Sequence, residues 1–421
     1  MKTTNILIAL ALMSGSAFAS NNIEWMPGSE SDLVAGRLVS ETAAIPASQH
    51  AESAPLSYTW AAGERSATEP AAQGVVVESR QYWVDVSARS LDTGVKLPIS
   101  APGAVVRISA LDSGTRLQLD PGHLELSING QSLDRSALEM STGTEMRQEG
   151  MQVPQDSLAF RLPGDSEAGT LHLQMATGAD EVPMVIHVHE PESPWVARMS
   201  TTRSTFLSDQ SIEFDVLLDD GDRVFEVDQV RAMLVSPDAD QMMDLSRQTN
   251  GKVLEGVVPV SAISAAPGLH EVHAYVEHNI GGATVKRDLK LAIGVAPASG
   301  RFSGDIDMLP ALGLSLDLGV EVAIEGRYQV NAEIFGTNAE GEMEAMAFTQ
   351  SAAVLEAGKN SIGIEIDAQM LLDSGLSAPF EVRHLQLLDQ GRMFVLEHRD
   401  QALRIGPPAR DIRGRSDEMI R

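Results

Sequence analysis

The stretch HLELSING, residues 123–130, decides the fold class of this chain. Its two leucines and its isoleucine alternate with Glu125 and Ser127, so one face of an extended strand is apolar and the other is polar. Asn129-Gly130 follows directly, and this dipeptide favours the tight turn of a β-hairpin. The stretch therefore predicts a half-buried β-strand that ends in a turn.

The same alternation recurs along most of the chain, as in GTLHLQMAT (169–177), SIEFDVLLDD (211–220) and NSIGIEID (360–367). Turn residues separate such runs about every 8–12 residues, which is typical of β-sandwiches. Long segments with helical periodicity are missing from the sequence, and residues 368–375 predict a single short helix. We therefore expect an all-β protein of about three tandem Ig-like β-sandwich domains.

Changes in composition place the domain boundaries. Residues 40–72 are rich in Ala, Ser, Glu and Pro, which is typical of a flexible segment, although LSYTW (56–60) predicts a short strand within it. PESP, residues 191–194, predicts a boundary because proline cannot continue a central strand. The predicted order is a signal peptide (1–19), a low-complexity N-terminal segment (20–72), three sandwiches (73–192, 195–297 and 299–408) and a tail (409–421).

The first residues have the pattern of a Sec-type signal peptide. Lys2 precedes a short apolar run, residues 6–13, and Ala17-Phe18-Ala19 resembles a cleavage site. The apolar run is too short to span a bilayer, and the rest of the sequence contains no run of about 20 apolar residues. We expect an exported protein, periplasmic or extracellular, that is not inserted in a membrane.

Composition excludes several classes of function. The net charge is −28, so nucleic acid and anionic membrane surfaces are unfavourable partners. The chain has no Cys, which excludes disulfides, thiol nucleophiles and cysteine metal ligands. Aromatic residues make up only 4% of the chain, which argues against a cleft that stacks on sugars.

Several stretches resemble a family of exported gammaproteobacterial proteins that carry the domain of unknown function 4785. They are SRQYWVDVSARSLDTGVKLPISAPGAVVRISAL (79–111) with IHVHEPESPW (186–195) for the first domain, GLHEVHAYVE (268–277) for the middle unit, and SAAVLEAGKNSIGIEIDAQMLLDSGLSAPFEVRHLQLLD (351–389) for the last. The resemblance extends over residues 75–405. It implies a tandem of Ig-like sandwiches and export, and it implies no activity.

The motif HVHE contains two histidines, His187 and His189, whose spacing puts both on one face of a strand. Two imidazoles so placed can share a zinc ion, but zinc needs a third and usually a fourth ligand, and the sequence names none. The apolar residues 182, 184, 186 and 188 make the opposite face. The histidines are interpreted as surface residues, with an interdomain contact and a metal site as alternatives.

A second histidine-rich motif, HEVHAYVEH (270–278), resembles a metalloprotease signature only superficially. That signature needs two histidines at i and i+4 on a helix, whereas the first two here are three residues apart in a stretch that alternates like a strand. The protease interpretation fails on this geometry.

Three acids, Asp219, Asp220 and Asp222, surround Gly221 in LLDDGDRV. Carboxylates clustered at the end of a sandwich can bind calcium, but Asp-Gly also makes a simple hairpin turn. The EF-hand pattern is incomplete, because Glu226 follows the glycine by five residues and no helix is predicted on either side. Calcium or zinc is therefore the only cofactor for which the sequence offers candidate ligands.

Hydrolase and nucleotide-binding motifs such as G-x-S-x-G and the P-loop are absent from the sequence after residue 19. We therefore expect a non-enzymatic protein that binds a protein or cell-surface partner. The alternative is a secreted metal-dependent enzyme, or an enzyme-associated protein, with its site at a domain junction. A purely structural spacer is a third hypothesis.

Overall fold

The computed structural model describes residues 23–29, 31–40, 53–62, 74–112, 117, 119–179, 181–208, 210–239, 242–247, 253–257, 268–309, 311 and 313–407. The predicted signal peptide (1–19) and tail (409–421) lie outside the described residues. Three hydrophobic cores, one in each of three β-sandwiches, confirm the all-β, tandem Ig-like fold class. Within the described part of the chain, no helix combines the length and apolar character that crossing a bilayer requires.

Among the described residues, three strands precede the first sandwich along the chain, and they belong to the other two sandwiches. They are β1 (Ile23–Trp25), β2 (Leu56–Ala61) and β3 (Val75–Ser79).

The first sandwich packs two antiparallel sheets around one core. Its elements are β4 (Gln81–Ser87), α1 (Ala88–Thr93), β5 (Val95–Ile99), β6 (Val105–Ala110), β7 (Leu124–Ile128), β8 (Gln131–Ser132), β9 (Glu139–Thr142), α2 (Gly143–Gln148), β10 (Leu158–Arg161), β11 (Gly169–Met175) and β12 (Pro183–His189). The sheet orders are β4-β12-β6-β10-β9 and β5-β11-β7-β8. The HLELSING prediction is confirmed: β7 and β8 form a hairpin, and Asn129 and Gly130 both have the positive φ that its turn requires.

The second sandwich is a single sheet folded over on itself. Its strands are β13 (Val196–Thr201), β14 (Thr205–Leu207), β15 (Ser211–Asp219), β16 (Val224–Phe225), β17 (Gln229–Val235), β18 (Met242–Arg247), β19 (Val253–Val257), β20 (His270–Ile280) and β21 (Ala283–Ala296). The order β14-β21-β20-β17-β18-β19-β15-β13-β3 includes the early strand β3, and β16 pairs with β15.

The third sandwich has a large and a small sheet. Its elements are β22 (Gly300–Met308), β23 (Leu314–Val322), β24 (Gly326–Thr337), β25 (Met343–Leu355), β26 (Gly358–Ile366), α3 (Ala368–Ser374), β27 (Ser377–Asp389) and β28 (Phe394–Ile405). The orders are β1-β28-β27-β24-β25-β2 and β22-β23-β26. The helix predicted at 368–375 is confirmed by α3, which ends at Gly375 in the left-handed conformation.

The path of the chain through the sandwiches is nested. The described part of the chain begins in the third sandwich with β1 and β2 and enters the second with β3. It then forms the first sandwich and returns through the second to the third. The first sandwich is therefore inserted between two strands, β3 and β13, that pair with each other.

The run of residues 75–88, which the sequence presents as continuous alternation, divides at a bend at Arg80. Val75 and Val77 pack against the core of the second sandwich, whereas Tyr82 is buried in the core of the first. The inward positions change from odd to even numbers at the bend. β3, which the sequence places in the predicted first sandwich (73–192), therefore belongs to the second sandwich.

The N-terminal segment, 20–72, also differs from its prediction as a flexible segment where it is described. β1 and β2 extend the two edges of the large sheet of the third sandwich, and the strand predicted at 56–60 is confirmed by β2. Leu33, Ala35 and Val39 are buried in the core of the third sandwich. A few apolar residues in a polar stretch are enough to dock it, because an edge strand gains backbone hydrogen bonds whatever its side chains are.

Arg287 of β21 and Glu190, directly after β12, form an ion pair at the junction of the first and second sandwiches. Both side chains are almost fully buried, and Arg287 Nη1 lies 2.7 Å from Glu190 Oε2. All five N–H groups of the guanidinium donate: to Glu190, to the backbone oxygens of Trp195 and Lys286, and to the hydroxyls of Ser100 and Ser193. A buried guanidinium tolerates this position because none of its donors is unsatisfied.

Glu190 connects this cation to the first sandwich. Its carboxylate also accepts from the backbone N–H groups of Ser100 and Ala101 and from the Ser100 hydroxyl. Its own backbone N–H donates to the oxygen of Arg80, so the two chain crossings between the sandwiches lie side by side. The glutamate of HVHE is therefore an anchor of the junction.

We expect Arg287→Met and Glu190→Gln each to lower the free energy of unfolding by about 3–5 kcal/mol, because each leaves a buried charge without its partner. The double variant Arg287→Met/Glu190→Met removes both charges and is expected to lose much less than the sum. Urea unfolding measures all three.

The control is Arg89→Met, which breaks an exposed pair with Glu181 at 3.9 Å and is expected to change stability by less than about 1 kcal/mol. Strict additivity of the junction variants would contradict the coupling of Arg287 and Glu190.

Candidate functional site: a cationic groove on the first sandwich

His187 and His189 lie on the outer face of the five-stranded sheet of the first sandwich. They occupy alternate positions of β12, whose other face buries Met184, Ile186 and Val188 completely. The sequence alternation predicts this division, and the structure confirms it. Both histidines are half-buried rather than fully exposed, because neighbouring strands and α2 rise around them.

The antiparallel register arranges the outer face in two rows. Trp83 of β4 and Arg107 of β6 flank His187. The next row contains His189, with Arg161 of β10 one strand further on beyond Val105. Residues that are distant in sequence thus meet because their strands are neighbours in the sheet.

The aromatic rings stack across the strands from Trp83 to His187 and then along β12 from His187 to His189. The ring centroids of Trp83 and His187 lie 4.8 Å apart with an angle of 14° between the ring planes. The His187 and His189 rings follow at 6.5 Å and 22°. His187 Nε2 lies 2.9 Å from Gln81 Oε1 and donates to it. The stack and the hydrogen bond to Gln81 orient the imidazoles.

Two buried nitrogen atoms here have no hydrogen-bond partner among the described residues, namely Arg107 Nε and His189 Nδ1. An unsatisfied buried donor is costly to the folded state, and such groups are frequent at functional sites.

The protonation of the histidines follows from this environment. Burial, with the charge of Arg107 and then His189 added, lowers the pKa of His187 to about 4. Burial, followed by the charges of Arg161 and Arg287, also lowers the pKa of His189. Both imidazoles are therefore neutral at pH 7, and the positive charge resides on the arginines.

These side chains line a groove of about 420 Å³. We call it the cationic groove and define it by Arg107, Arg161, His187, His189, Met146 and Met151. Met146 belongs to α2, whose first turn is fixed by reciprocal hydrogen bonds between Thr142 and Glu145. The groove thus has cations and imidazoles on its floor and flexible thioether side chains at its wall.

Glu139 is the one carboxylate among the lining residues. It lies 3.7 Å from Arg161, and its side chain is 87% exposed. An ion pair so open to solvent contributes little, so Arg161 keeps its capacity to bind an anion.

The zinc hypothesis gains no third ligand here. His187 and His189 do not meet a further histidine or a carboxylate within ligand distance among the described residues, and the nearby arginines oppose a cation. Zinc at HVHE stays a prediction.

The Asp219 loop has the geometry of a closed turn. Asp219 accepts from the Gly221 N–H and from Arg198, and Asp220 accepts from the N–H groups of Asp222 and Arg223. The described residues do not bring the three carboxylates onto a common point. Calcium at this loop stays a prediction.

The motif HEVHAYVEH lies in β20, so its histidines are on a strand, as the sequence predicts, and cannot take the helical arrangement of a metalloprotease. Two arrangements in the structure have no counterpart among the sequence motifs. Arg107 and Arg161 lie in short strands without any motif. A further group, His384, His398 and Asp400, comes together in the third sandwich from residues without characteristic spacing.

Comparison with known proteins points to one family. A family model described as the N-terminal domain of the domain of unknown function DUF4785 matches residues 47–190, and the model of its C-terminal domain matches residues 299–406. A crystal structure of a DUF4785 family protein from Legionella pneumophila has a TM-score of 0.68 at 20% identity, over 88% of this chain and 98% of that chain. No curated protein matches the chain.

Two alpha-2-macroglobulins are much weaker matches. The Salmonella protein, a Y1175G mutant, has a TM-score of 0.26 at 14% identity, over 79% of this chain and 21% of that one. The Escherichia coli protein has a TM-score of 0.18 at 12% identity, over 73% and 22% respectively. Likeness at this level supports no argument about fold or function.

We expect Arg107→Met to raise the free energy of unfolding by about 1 kcal/mol, because it removes an unsatisfied buried donor and keeps the aliphatic volume. Urea unfolding at pH 7 measures the change. Destabilisation would show that the Arg107 guanidinium serves the fold rather than a ligand.

Acidification is expected to weaken the fold through His187. Its pKa in the folded protein, about 4, lies below its ordinary value of 6.5, so the unfolded chain takes up the proton first and stability falls as pH decreases through this window. Between pH 7 and pH 4, wild type is expected to lose about 2 kcal/mol more than His187→Gln. Unfolding in urea, monitored by tryptophan fluorescence, measures the stability of both proteins at each pH. Equal losses of stability in the two proteins would contradict the lowered pKa of His187.

Proposed function

This chain belongs to the DUF4785 family, and from that premise we propose that it is an exported, non-enzymatic binding protein whose cationic groove holds an acidic segment of a partner protein. Family membership supplies no activity, so the proposal rests on the groove itself. The observation that carries it is the buried, unpartnered Arg107 Nε beside Arg161.

An anionic ligand matches the hydrogen-bond donors and the positive charge of the groove. A carboxylate accepts two N–H groups of a guanidinium in parallel, and such charge-assisted bonds are about twice as strong as neutral ones. It would satisfy Arg107 Nε, which no described residue does. The neutral imidazoles of His187 and His189 can donate to or accept from the same ligand.

The charge of the whole chain makes the groove selective. With a net charge of −28, the protein repels anionic polymers in general. Only a ligand that places its negative charge directly between the two arginines gains enough to overcome this repulsion. A short acidic segment meets this condition better than a polyanion such as nucleic acid.

The wall of the groove indicates which residues of the ligand lie beside its acidic residues. Met146 and Met151 offer flexible apolar contacts, and Met151 is 52% exposed. Methionine surfaces adapt to varied apolar side chains. A peptide in which acidic and apolar residues are neighbours fits both parts of the groove.

Export belongs to the same proposal. The pattern of Lys2, residues 6–13 and Ala17-Phe18-Ala19 supports a periplasmic or extracellular location. A chain without cysteines is compatible with an oxidising compartment, because it has no thiols to pair wrongly.

The test is binding to an array of 12-residue peptides in which Glu and Leu content vary independently, with the best peptide then titrated by fluorescence anisotropy. We expect tight binders to contain both residue types, and the Glu→Gln version of the best peptide to bind at least ~10-fold more weakly. Arg107→Gln/Arg161→Gln is expected to weaken binding by at least ~100-fold.

Arg89→Gln, in α1 beyond the end of β4, is the matched control and is expected to bind like wild type. Equal losses in the control and in the groove variant would contradict the proposal. So would the absence of binding across the array by the folded wild-type protein.

A further inference from the structure

The outer face of the hairpin β27–β28, in the third sandwich, carries His384, His398 and Asp400. One ligand atom from each lies within 4.8 Å of the other two. The geometry points to a metal site, and we propose that these three residues bind one zinc ion. The site is separate from the cationic groove, which lies in the first sandwich.

A β-bulge creates this cluster. The register of β27 and β28 shifts between Val382 and Arg383, and His384 has a left-handed backbone with φ of 49°. Leu385 remains in the core. His384 thereby lies opposite Asp400, between the pairs Leu385–Arg399 and Arg383–Gln401, with His398 on the same face.

The backbone conformation of His384 also indicates a functional site. A residue with a Cβ atom rarely takes positive φ, and such conformations persist where function or surrounding structure holds them. Bulges often re-aim a side chain next to a functional site. Here the bulge turns an imidazole toward a second imidazole and a carboxylate, and the two rings lie 6.4 Å apart at 18°.

The polar atoms of the cluster are only partly satisfied. His384 Nδ1 is buried and has no hydrogen-bond partner among the described residues. His398 Nε2 donates to Asp400 Oδ1 at 2.7 Å. A zinc ion would give His384 the partner it lacks. It would replace the proton that His398 now gives to Asp400, and this proton would leave to solvent.

The ligand set selects the kind of metal. Two imidazoles and one carboxylate are typical of zinc and related first-row ions, whereas calcium and magnesium prefer oxygen ligands alone. Ligand atoms of a tetrahedral zinc lie roughly 3.3 Å apart, so small side-chain rotations complete the site from the present separation.

The surroundings support the ligands. Ser31 donates to Asp400 Oδ2, and Asp32 Oδ1 accepts from the Asp400 N–H at 2.9 Å. Gln386 lies against His398 Nδ1 at 3.5 Å. Ordered partners of this kind orient metal ligands.

Beside His398 lies a cavity of about 50 Å³, and its lining includes Arg203 and Ser204 of the second sandwich. When a protein supplies three zinc ligands, water is the usual fourth. The site thus lies where the N-terminal segment, the second sandwich and the third sandwich meet.

The experiment uses the full chain without a histidine tag, stripped with dipicolinate and titrated with ZnCl2 by calorimetry. We expect one zinc ion per chain with micromolar or tighter affinity and a rise of several degrees in melting temperature. His384→Gln and Asp400→Asn are each expected to weaken binding at least ~10-fold.

His123→Gln, an exposed histidine of the first sandwich outside the cationic groove, is the matched control and is expected to bind zinc like wild type. His384→Gln should fold normally, because His384 Nδ1 makes no hydrogen bond to lose. X-ray absorption at the zinc edge of the wild-type complex is expected to show two imidazoles. Absence of stoichiometric zinc binding by wild type, or unchanged affinity in both site variants, would overturn the proposal.

Discussion

The ion pair between Arg287 and Glu190 is the interaction on which the arrangement of the first two sandwiches depends. A guanidinium with no exposed surface can exist there only if every donor has an acceptor. Those acceptors come from the 190–195 crossing, from the loop after β5 and from β21 itself. The pair therefore fixes the geometry of three segments at once, and any rotation between the sandwiches would break several hydrogen bonds together. Directional bonds of this kind specify orientation, which apolar contacts alone do not.

The cationic groove is close to this junction and partly owes its properties to it. Arg287 is among the charges that lower the pKa of His189, and Glu190 opposes it. β12 thus connects the two features: its last residues supply imidazoles to the groove, and the residue that follows supplies the carboxylate to the junction. A four-residue motif that resembles a metal site in the sequence is divided by the structure between the cationic groove and an interdomain anchor.

Local patterns in the sequence predicted what is local in the structure. Alternation identified β7 with its turn, the inward face of β12 and the strand character of HEVHAYVEH, because each depends on neighbours in sequence. The assignment of β3 was missed, since only the change from odd to even inward positions at Arg80 marks it. The docking of β1 with Leu33, Ala35 and Val39, and the His384 cluster, were missed for another reason. Both depend on pairing with β28. The N-terminal residues lie more than 350 residues from β28 in sequence, and the His384 cluster forms across a bulge between β27 and β28. Neither feature has a signature in the sequence.

The nested path of the chain determines the order in which the three sandwiches can be completed while the chain is synthesised from its N-terminus. The first sandwich is finished as soon as β12 has emerged, since all its strands lie between residues 81 and 189. The second must wait for β21 although β3 was made long before, and β1 and β2 stay unpaired until the partners β28 and β25 arrive. The first sandwich can therefore be completed before the second, and the second before the third. β1 is the first described strand to be made and the last to be paired, so the third sandwich is complete only when β28 has emerged.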